Sequence, residues 1–443
     1  MQRSLMALIG AWKAKPARKP LLLDGARQTG KTYLLQQLLG REFPGVLRLD
    51  FLEDPTLADA FAGSLDPPEV VANIELLTGR PYDPAKDLLI LDEIGECPRA
   101  VTALKYFAEK MPHGFIAASG SNIGLLGSFP VGKVELHVVR PLTFREFLLA
   151  SGDKMLIRAF ESRTDSAVAH TQLFDRLTDY YFTGGMPEAV AQWYAHANGS
   201  ILQRIDAVSR VHANLVAGYR RDFGKYAGKV DAQLIGAVFD TVPAQLSAVM
   251  DESVKRYRFK DVHERKSRYA DFENAISWLH RSRLVLKNYP IEGRPAAPLA
   301  AYTQDNRVKL FLFDVGLLNH SLGTGYKEIK QQAYDYKGYI AENFVQQELA
   351  ALGLEPGFSW QDARAEIEFI VADDAGRVIP IEVKSGKRTR ARSLESYRVK
   401  CAPHKTIKLT GTRGSEPTET VNIVMPLYYA EAIREVLMDT GKG

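Results

Sequence analysis

The feature that most constrains this chain is an eight-residue run, Gly25-Ala-Arg-Gln-Thr-Gly30-Lys31-Thr32, which fits G-x-x-x-x-G-K-[ST] in full. It is preceded by Leu21-Leu22-Leu23-Asp24, which reads as a short buried strand, and followed by a helical pattern from Tyr33 to Leu39. Strand, glycine loop and helix are the context this motif requires. Glycines at Gly25 and Gly30 allow backbone to approach a phosphate without a Cβ in the way. Backbone N–H groups across Ala26, Arg27, Gln28 and Thr29 and at the helix start suit an anion. Lys31 is placed to reach β- and γ-phosphates, and Thr32 to offer its hydroxyl to Mg²⁺. The expected ligand is ATP with Mg²⁺.

A second segment supports the first. Asp87-Leu-Leu-Ile-Leu-Asp92-Glu93 reads as a buried strand ending in two carboxylates, as in a parallel sheet covered on both faces. Asp92 is the expected Mg²⁺ partner and Glu93 the expected general base for an attacking water. A strand from Phe115 carries a polar tip of Ser119, Ser121 and Asn122, any of which could sense a γ-phosphate.

These segments, with several further ones, resemble the bacterial and archaeal AAA-type ATPases that carry a C-terminal domain of unknown function. The further segments are Pro141-Leu-Thr-Phe-Arg-Glu-Phe147, Phe182-Thr-Gly-Gly-Met-Pro-Glu188, Lys309-Leu-Phe-Leu-Phe-Asp-Val-Gly-Leu-Leu318, Glu366-Ile-Glu-Phe369 and Ile381-Glu-Val-Lys384. The resemblance covers almost the whole chain. It implies an α/β P-loop ATPase core over residues 1–150, a helical lid over 151–240, a winged-helix-like module over 241–325 and a restriction-endonuclease-like α/β domain over 326–443. Where the family tends to have Gly-Arg, this chain has Gly132-Lys133, and a lysine lacks the planar fork of an arginine finger. Arg140 is the substitute candidate. Arg220 and Arg221, in the helical stretch, are a second basic pair, with a solvated surface as the plainer reading.

Residues 255–268 form the most basic stretch, with seven Lys or Arg against two acids, in a chain whose net charge is only +4. Tyr257, Phe259 and Tyr269 interleave with the charges. Such a stretch suits a nucleic-acid phosphate backbone through Lys255, Arg256, Arg258 and Lys260, or else is a solvated face. Asp271 is expected to cap the helix that follows.

In the last domain, the segment from Tyr339 reads as an amphipathic helix with Glu342 near its edge. Two strands follow, over residues 365–371 and 378–383, with Pro380 marking an edge or a strand start. Glu382 and Lys384, two apart, point to one face, and Glu368 returns across the hairpin. This set resembles the PD-(D/E)XK nuclease fold, with Glu368 where that family has Asp. The resemblance implies Mg²⁺ held by Glu342, Glu368 and Glu382, with Lys384 stabilising charge. The plainer reading is a wet, charged sheet face. Two function classes follow: an ATPase with a cutting C-terminal domain, or an ATP-dependent switch whose last domain binds nucleic acid or protein without cutting.

Composition adds limits. Hydrophobic residues make up 46% and charged residues 25% of 443, an ordinary globular balance with cores for several domains. No apolar run reaches a membrane span, so no membrane partner is expected. The stretch from Leu5 to Trp12 reads as an amphipathic helix and not as a signal peptide. Cys97 and Cys401 have no metal or redox spacing, which fits a reducing cytoplasm. A homo-oligomer is left open.

Overall fold

The computed structural model describes residues 1–125, 129–197, 199–226, 231–248, 256–260, 262–331, 337–362, 365–386, 392–413 and 421–438. Two compact units result. The first comprises residues 1–140 and 281–283, the second residues 141–280 and 284–443.

The first unit is built on five parallel strands, β1 (Leu21–Asp24), β2 (Val46–Asp50), β3 (Leu88–Asp92), β4 (Phe115–Gly120) and β5 (Glu135–Val138), in the order β2-β3-β4-β1-β5. Apolar residues run unbroken along β1 and β3 because both faces are covered. Successive side chains alternate between two cores. Leu21, Leu23, Leu88 and Ile90 pack with Ile9, Trp12 and Leu34 on one face. Leu22, Leu89 and Leu91 pack with Phe61, Ile74 and Leu104 on the other. The segment read as an N-terminal amphipathic helix forms one, Met6–Lys13, and buries Ile9 and Trp12. Strand β3 is not the immediate neighbour of β1. Strand β4 lies between them, which brings the tip of β4 to the middle of the site.

The second unit begins with helices Phe144–Ser151, Lys154–Glu161, Ala167–Thr183, Pro187–Ala195, Ile201–Tyr226 and Ala232–Ala248. Helix Tyr269–Arg281 leads into β6 (Val285–Glu292), which pairs antiparallel with β7 (Lys309–Leu312). Strand β6 also pairs parallel with β8 (Gly357–Asp362), and β8 with β9 (Ala365–Ile367). The strands on either side of residue 326 therefore share one sheet. A second sheet runs β10 (Phe369–Ala372), β11 (Val378–Lys384), β12 (Thr406–Thr410), β13 (Asn422–Pro426). Strand β11 is interior, unlike the edge suggested by Pro380. The missing N–H is tolerated because β12 pairing begins one residue later, at Ile381.

Three of the segments that carry the family resemblance meet in this unit. Thr143 and Glu146 form a reciprocal capping box for helix Phe144–Ser151. The Leu142 N–H donates to Gly185 O at 2.7 Å, and the Gly185 N–H to Asp314 Oδ2 at 2.7 Å. Asp314 also caps its own helix by accepting from Leu317 N at 3.0 Å. A Cβ at Gly184 would lie 2.2 Å from Asp314 Oδ1, and Gly184 has φ 67°. A Cβ at Gly185 would lie 2.1 Å from Leu142 O. Close approach of three chain segments therefore requires the glycine pair. Helix Lys337–Ala351 is buried on nearly all sides, beyond the one face its apolar residues suggested. Several of its polar residues pair with backbone: Asn343 with both N–H and C=O of Leu312, and Gln347 by accepting from Val315 N at 2.9 Å.

Candidate nucleotide site and C-terminal charged cluster

The glycine loop leaves the C-terminal end of β1, where the strand is flanked by β4 and β5, the usual place for a ligand in such a sheet. Gly25 is required by packing, since a Cβ there would sit 2.4 Å from Val139 O. Gln28 and Gly30 turn the loop at φ 65° and 92°. The Thr29 hydroxyl donates to Ala26 O at 2.9 Å, so this side chain braces the loop from inside. Arg3 braces it from outside, donating to Thr29 O at 2.9 Å and to Arg140 O at 2.5 Å. No sequence pattern marked Arg3.

Lys31 begins the helix Lys31–Tyr33, which continues as a wider turn through Leu34–Leu39. Its ammonium is buried and donates to Gly25 O at 3.0 Å, Ala26 O at 2.9 Å and Ser121 Oγ at 2.9 Å. Burial lowers its proton affinity, against the fields of Glu93, Asp24 and Asp92. Its nearest partners are all neutral.

Asp92 is 1% exposed and fully engaged. It accepts from Thr32 Oγ1 at 3.1 Å, from Ser119 Oγ, and from Arg48 Nε and Nη2 at 2.9 and 2.7 Å. Arg48 on β2 also pairs with Asp50, and these carboxylates hold its guanidinium proton more firmly. Arg48 was not singled out in the sequence, although its place two residues before Asp50 on an exposed strand edge hints at a charged ladder. Glu93 takes φ 48° and its carboxylate accepts from Ser121 N at 3.4 Å. The three polar candidates at the tip of β4 therefore separate. Ser119 is buried against Asp92, Ser121 touches both Lys31 and Glu93, and Asn122 makes the turn at φ 62°.

Arg140 does not reach out as a finger would. Burial and the adjacent Arg283 lower its proton affinity, against Asp24. Arg283 donates to Asp24 Oδ2 at 2.9 Å. Lys133 lies against Glu109 at 2.8 Å. In the second unit Arg220 pairs with Asp240 at 2.8 Å, as a solvated pair would.

The basic stretch is described from Arg256, and Lys255 and Asp261 lie outside the described residues. Arg256, Arg258, Lys260, Arg265 and Arg268 are exposed. The aromatics are not. Tyr257 is 5% exposed, and Phe259 packs on Tyr257, Tyr269 and Phe272 at 5.3 to 5.8 Å. Packed on one another, they anchor the segment. Asp271 lies inside the helix and reaches back to the N–H groups of Ser267 and Arg268.

In the second unit, Glu368 falls at the break between β9 and β10. The register Phe369↔Ile381 brings it opposite Glu382. Lys384 Nζ lies 3.4 Å from Glu368 Oε1 and 3.1 Å from Glu382 Oε1. Glu382 is fully buried, and Glu368 Oε2 accepts from Val383 N at 3.0 Å. Burial pushes Glu368 up to about 7, against Lys384 and with Glu342 adding to the rise. Glu342 ion-pairs with Lys309, a half-buried lysine that also feels Glu366 and Glu368. The expected metal set is therefore divided between two ammonium groups. Among the described residues no three His, Cys, Asp or Glu side chains are grouped to hold a metal ion.

Comparison with known proteins agrees with the first unit. Residues 17–148 match an AAA domain. The β1–loop–helix geometry, with Asp92 and Glu93 at the end of β3, is that of a AAA-type P-loop ATPase domain. The chain joins this domain to residues 174–328, which match a domain of unknown function (DUF8612), and to residues 337–430, which match a domain of unknown function (DUF4143). Among solved structures, C. elegans PCH-2 is similar at 15% identity and a TM-score of 0.28, over 43% of this chain and 60% of that one. No curated protein matches. Among the described residues no helix is long and apolar enough to cross a membrane.

Proposed function

We propose that the chain binds Mg²⁺ and ATP on its first unit and hydrolyses the nucleotide. The observation that carries this reading is the Lys31 ammonium. It is buried, cationic and held only by two carbonyls and a hydroxyl, so an anion can take those contacts at little cost. Thr32 and Asp92, in contact at 3.1 Å, would hold Mg²⁺. Bound Mg²⁺ and ATP supply the phosphoanhydride and the charge that polarises it. Glu93 would accept the proton of the attacking water, and Ser121, bonded to both Lys31 and Glu93, would couple phosphate to base. Phosphate release by the full chain tests the reading. Turnover that persists in Glu93→Gln, or an absence of Mg²⁺-dependent turnover in the wild type, contradicts it.

The exposed cations Arg256, Arg258, Lys260, Arg265 and Arg268 support nucleic acid as the second partner, through phosphate contacts without base stacking. For the C-terminal domain, the order helix, four strands, helix, two strands, with Glu368 and Glu382 facing each other across β10 and β11, supports a PD-(D/E)XK-like fold. The Lys384 ammonium between Glu368 and Glu382 favours the switch reading, because it already ion-pairs with both carboxylates that a metal would need and offsets one of their charges. Plasmid incubation with Mg²⁺ or Mn²⁺, with and without ATP, decides between the readings. Cleavage that is lost in Glu382→Ala would restore the nuclease.

A further inference from the structure

The second unit contains a cavity of about 300 Å³ that belongs to neither site. Its wall is set by the helices Ala167–Thr183, Ile201–Tyr226 and Tyr326–Gln331 and by Asp153, and it carries three acids and three bases. Four of the six charges are used up locally. Arg176 pairs with Asp179 at 3.0 Å, and Lys330 with Asp175 at 2.7 Å. The Tyr326 hydroxyl donates to Asp179 at 2.8 Å.

One cation and one anion remain. Arg204 is held flat, with its guanidinium 4.0 Å from the centre of the Trp193 ring and its Nε donating to Trp193 O at 3.0 Å. That fixes the plane and leaves both Nη groups for the cavity. Asp153 uses one oxygen to cap helix Lys154–Glu161 through Leu156 N at 3.0 Å, which leaves the other. Among the described residues neither Arg204 nor Asp153 has an ion-pair partner. Both line the same space, and they are too far apart to pair with one another. Nearby, the Tyr194 hydroxyl is buried among Arg176, Asp179, Arg204 and Asp153 without a hydrogen-bond partner.

We propose that this cavity is a binding site for a small zwitterion, an amino acid or a short peptide, whose carboxylate pairs with Arg204 and whose ammonium pairs with Asp153. A purely anionic ligand would satisfy Arg204 and be repelled by Asp153, and a purely cationic one the reverse. The volume exceeds that of a few waters, each of roughly 30 Å³ in the liquid, and suits a ligand of up to dipeptide size.

The test uses the full chain and ligand-observed saturation-transfer NMR with alanine and alanyl-alanine as probes. Each is compared with its N-acetylated and its C-amidated form. Saturation transfer to one free zwitterion, lost in both blocked forms, is the expected result. Arg204→Gln and Asp153→Asn should each weaken binding by at least about tenfold. Asn keeps the helix cap, so the second variant should retain the wild-type melting curve. Three results overturn the proposal: no transfer to either probe, equal transfer to a blocked form, or displacement of the bound probe by inorganic phosphate alone at equal concentration. The comparison of free with blocked probes needs only the wild type, so a variant that fails to fold does not remove the test.

Discussion

Two lysines in this molecule, Lys31 buried and Lys384 partly exposed, sit in opposite electrostatic states. Lys31 rests on Gly25 O, Ala26 O and Ser121 Oγ. Lys384 rests on the carboxylates of Glu368 and Glu382. A buried cation held by dipoles keeps most of its attraction for an incoming anion. A cation held by two carboxylates has spent it, because their opposite charges already favour its charged form. The difference separates a lysine whose contacts are neutral from one that is already ion-paired, although carboxylates act on both.

The largest effect expected from this contrast is on turnover. Glu93→Gln should leave Mg²⁺-ATP binding within about twofold and lower phosphate release on the order of 10²- to 10⁴-fold, as measured in a steady-state assay. The next concerns Arg48, whose guanidinium holds the 1% exposed Asp92. Arg48→Leu should destabilise the first unit by about 2 kcal/mol, visible as an earlier thermal transition that added Mg²⁺ partly restores. If that transition does not move, Asp92 does not need its partner.

How far these sites could be read from sequence differs between the two lysines for the same reason. Lys31 was legible because a phosphate cradle is a local object, written in eight consecutive residues with a strand before and a helix after. Asp92 and Glu93 were legible from an apolar run that ends in acids. Arg48 and Arg3 were not, since each reaches its partner only through the sheet order or a chain turn. The strand order itself, with β4 between β1 and β3, assigned separate work to Ser119 and Ser121, which no local pattern distinguishes. In the second unit, residues at spacing two correctly put Glu382 and Lys384 on one face. The neutralisation of Glu342 by Lys309 was hidden, because those two residues are brought together by packing of β7 against a helix 33 residues on. The aromatics that interleave with the basic stretch in sequence pack on one another in the fold.

A smaller effect sharpens the comparison from the C-terminal side. Glu368 is raised to about 7, above its unfolded range near 4.3. The folded state therefore binds a proton that the unfolded state has lost. Stability should fall as pH rises from about 4 to about 7 and be flat above. Glu368→Gln should remove a pH-dependent loss on the order of 3 kcal/mol, read as a denaturant-unfolding free energy that is flatter between about pH 4 and pH 7 by about that amount. Glu431, also near 7, keeps part of the slope in the variant. Identical profiles would mean that Lys384 holds Glu368 ionised throughout.

The smallest effect belongs to the exposed cations. Changing Arg256, Arg258 and Lys260 together to Ala should flatten the dependence of log affinity for duplex DNA on log salt by about 0.9 per lost phosphate contact. An unchanged slope leaves them as a solvated face.

The contrast between the two lysines is tested most directly by titrating Mg²⁺-ATP into the wild type, Lys31→Ala and Lys384→Ala side by side and measuring heat. The wild type and Lys384→Ala should bind one nucleotide per chain with affinities within about twofold of each other. Lys31→Ala should lose at least about 100-fold, since a charge-assisted contact to phosphate is removed from a buried site. Equal binding by Lys31→Ala and the wild type, or a comparable loss in Lys384→Ala, would contradict the assignment of the phosphate site to the first unit.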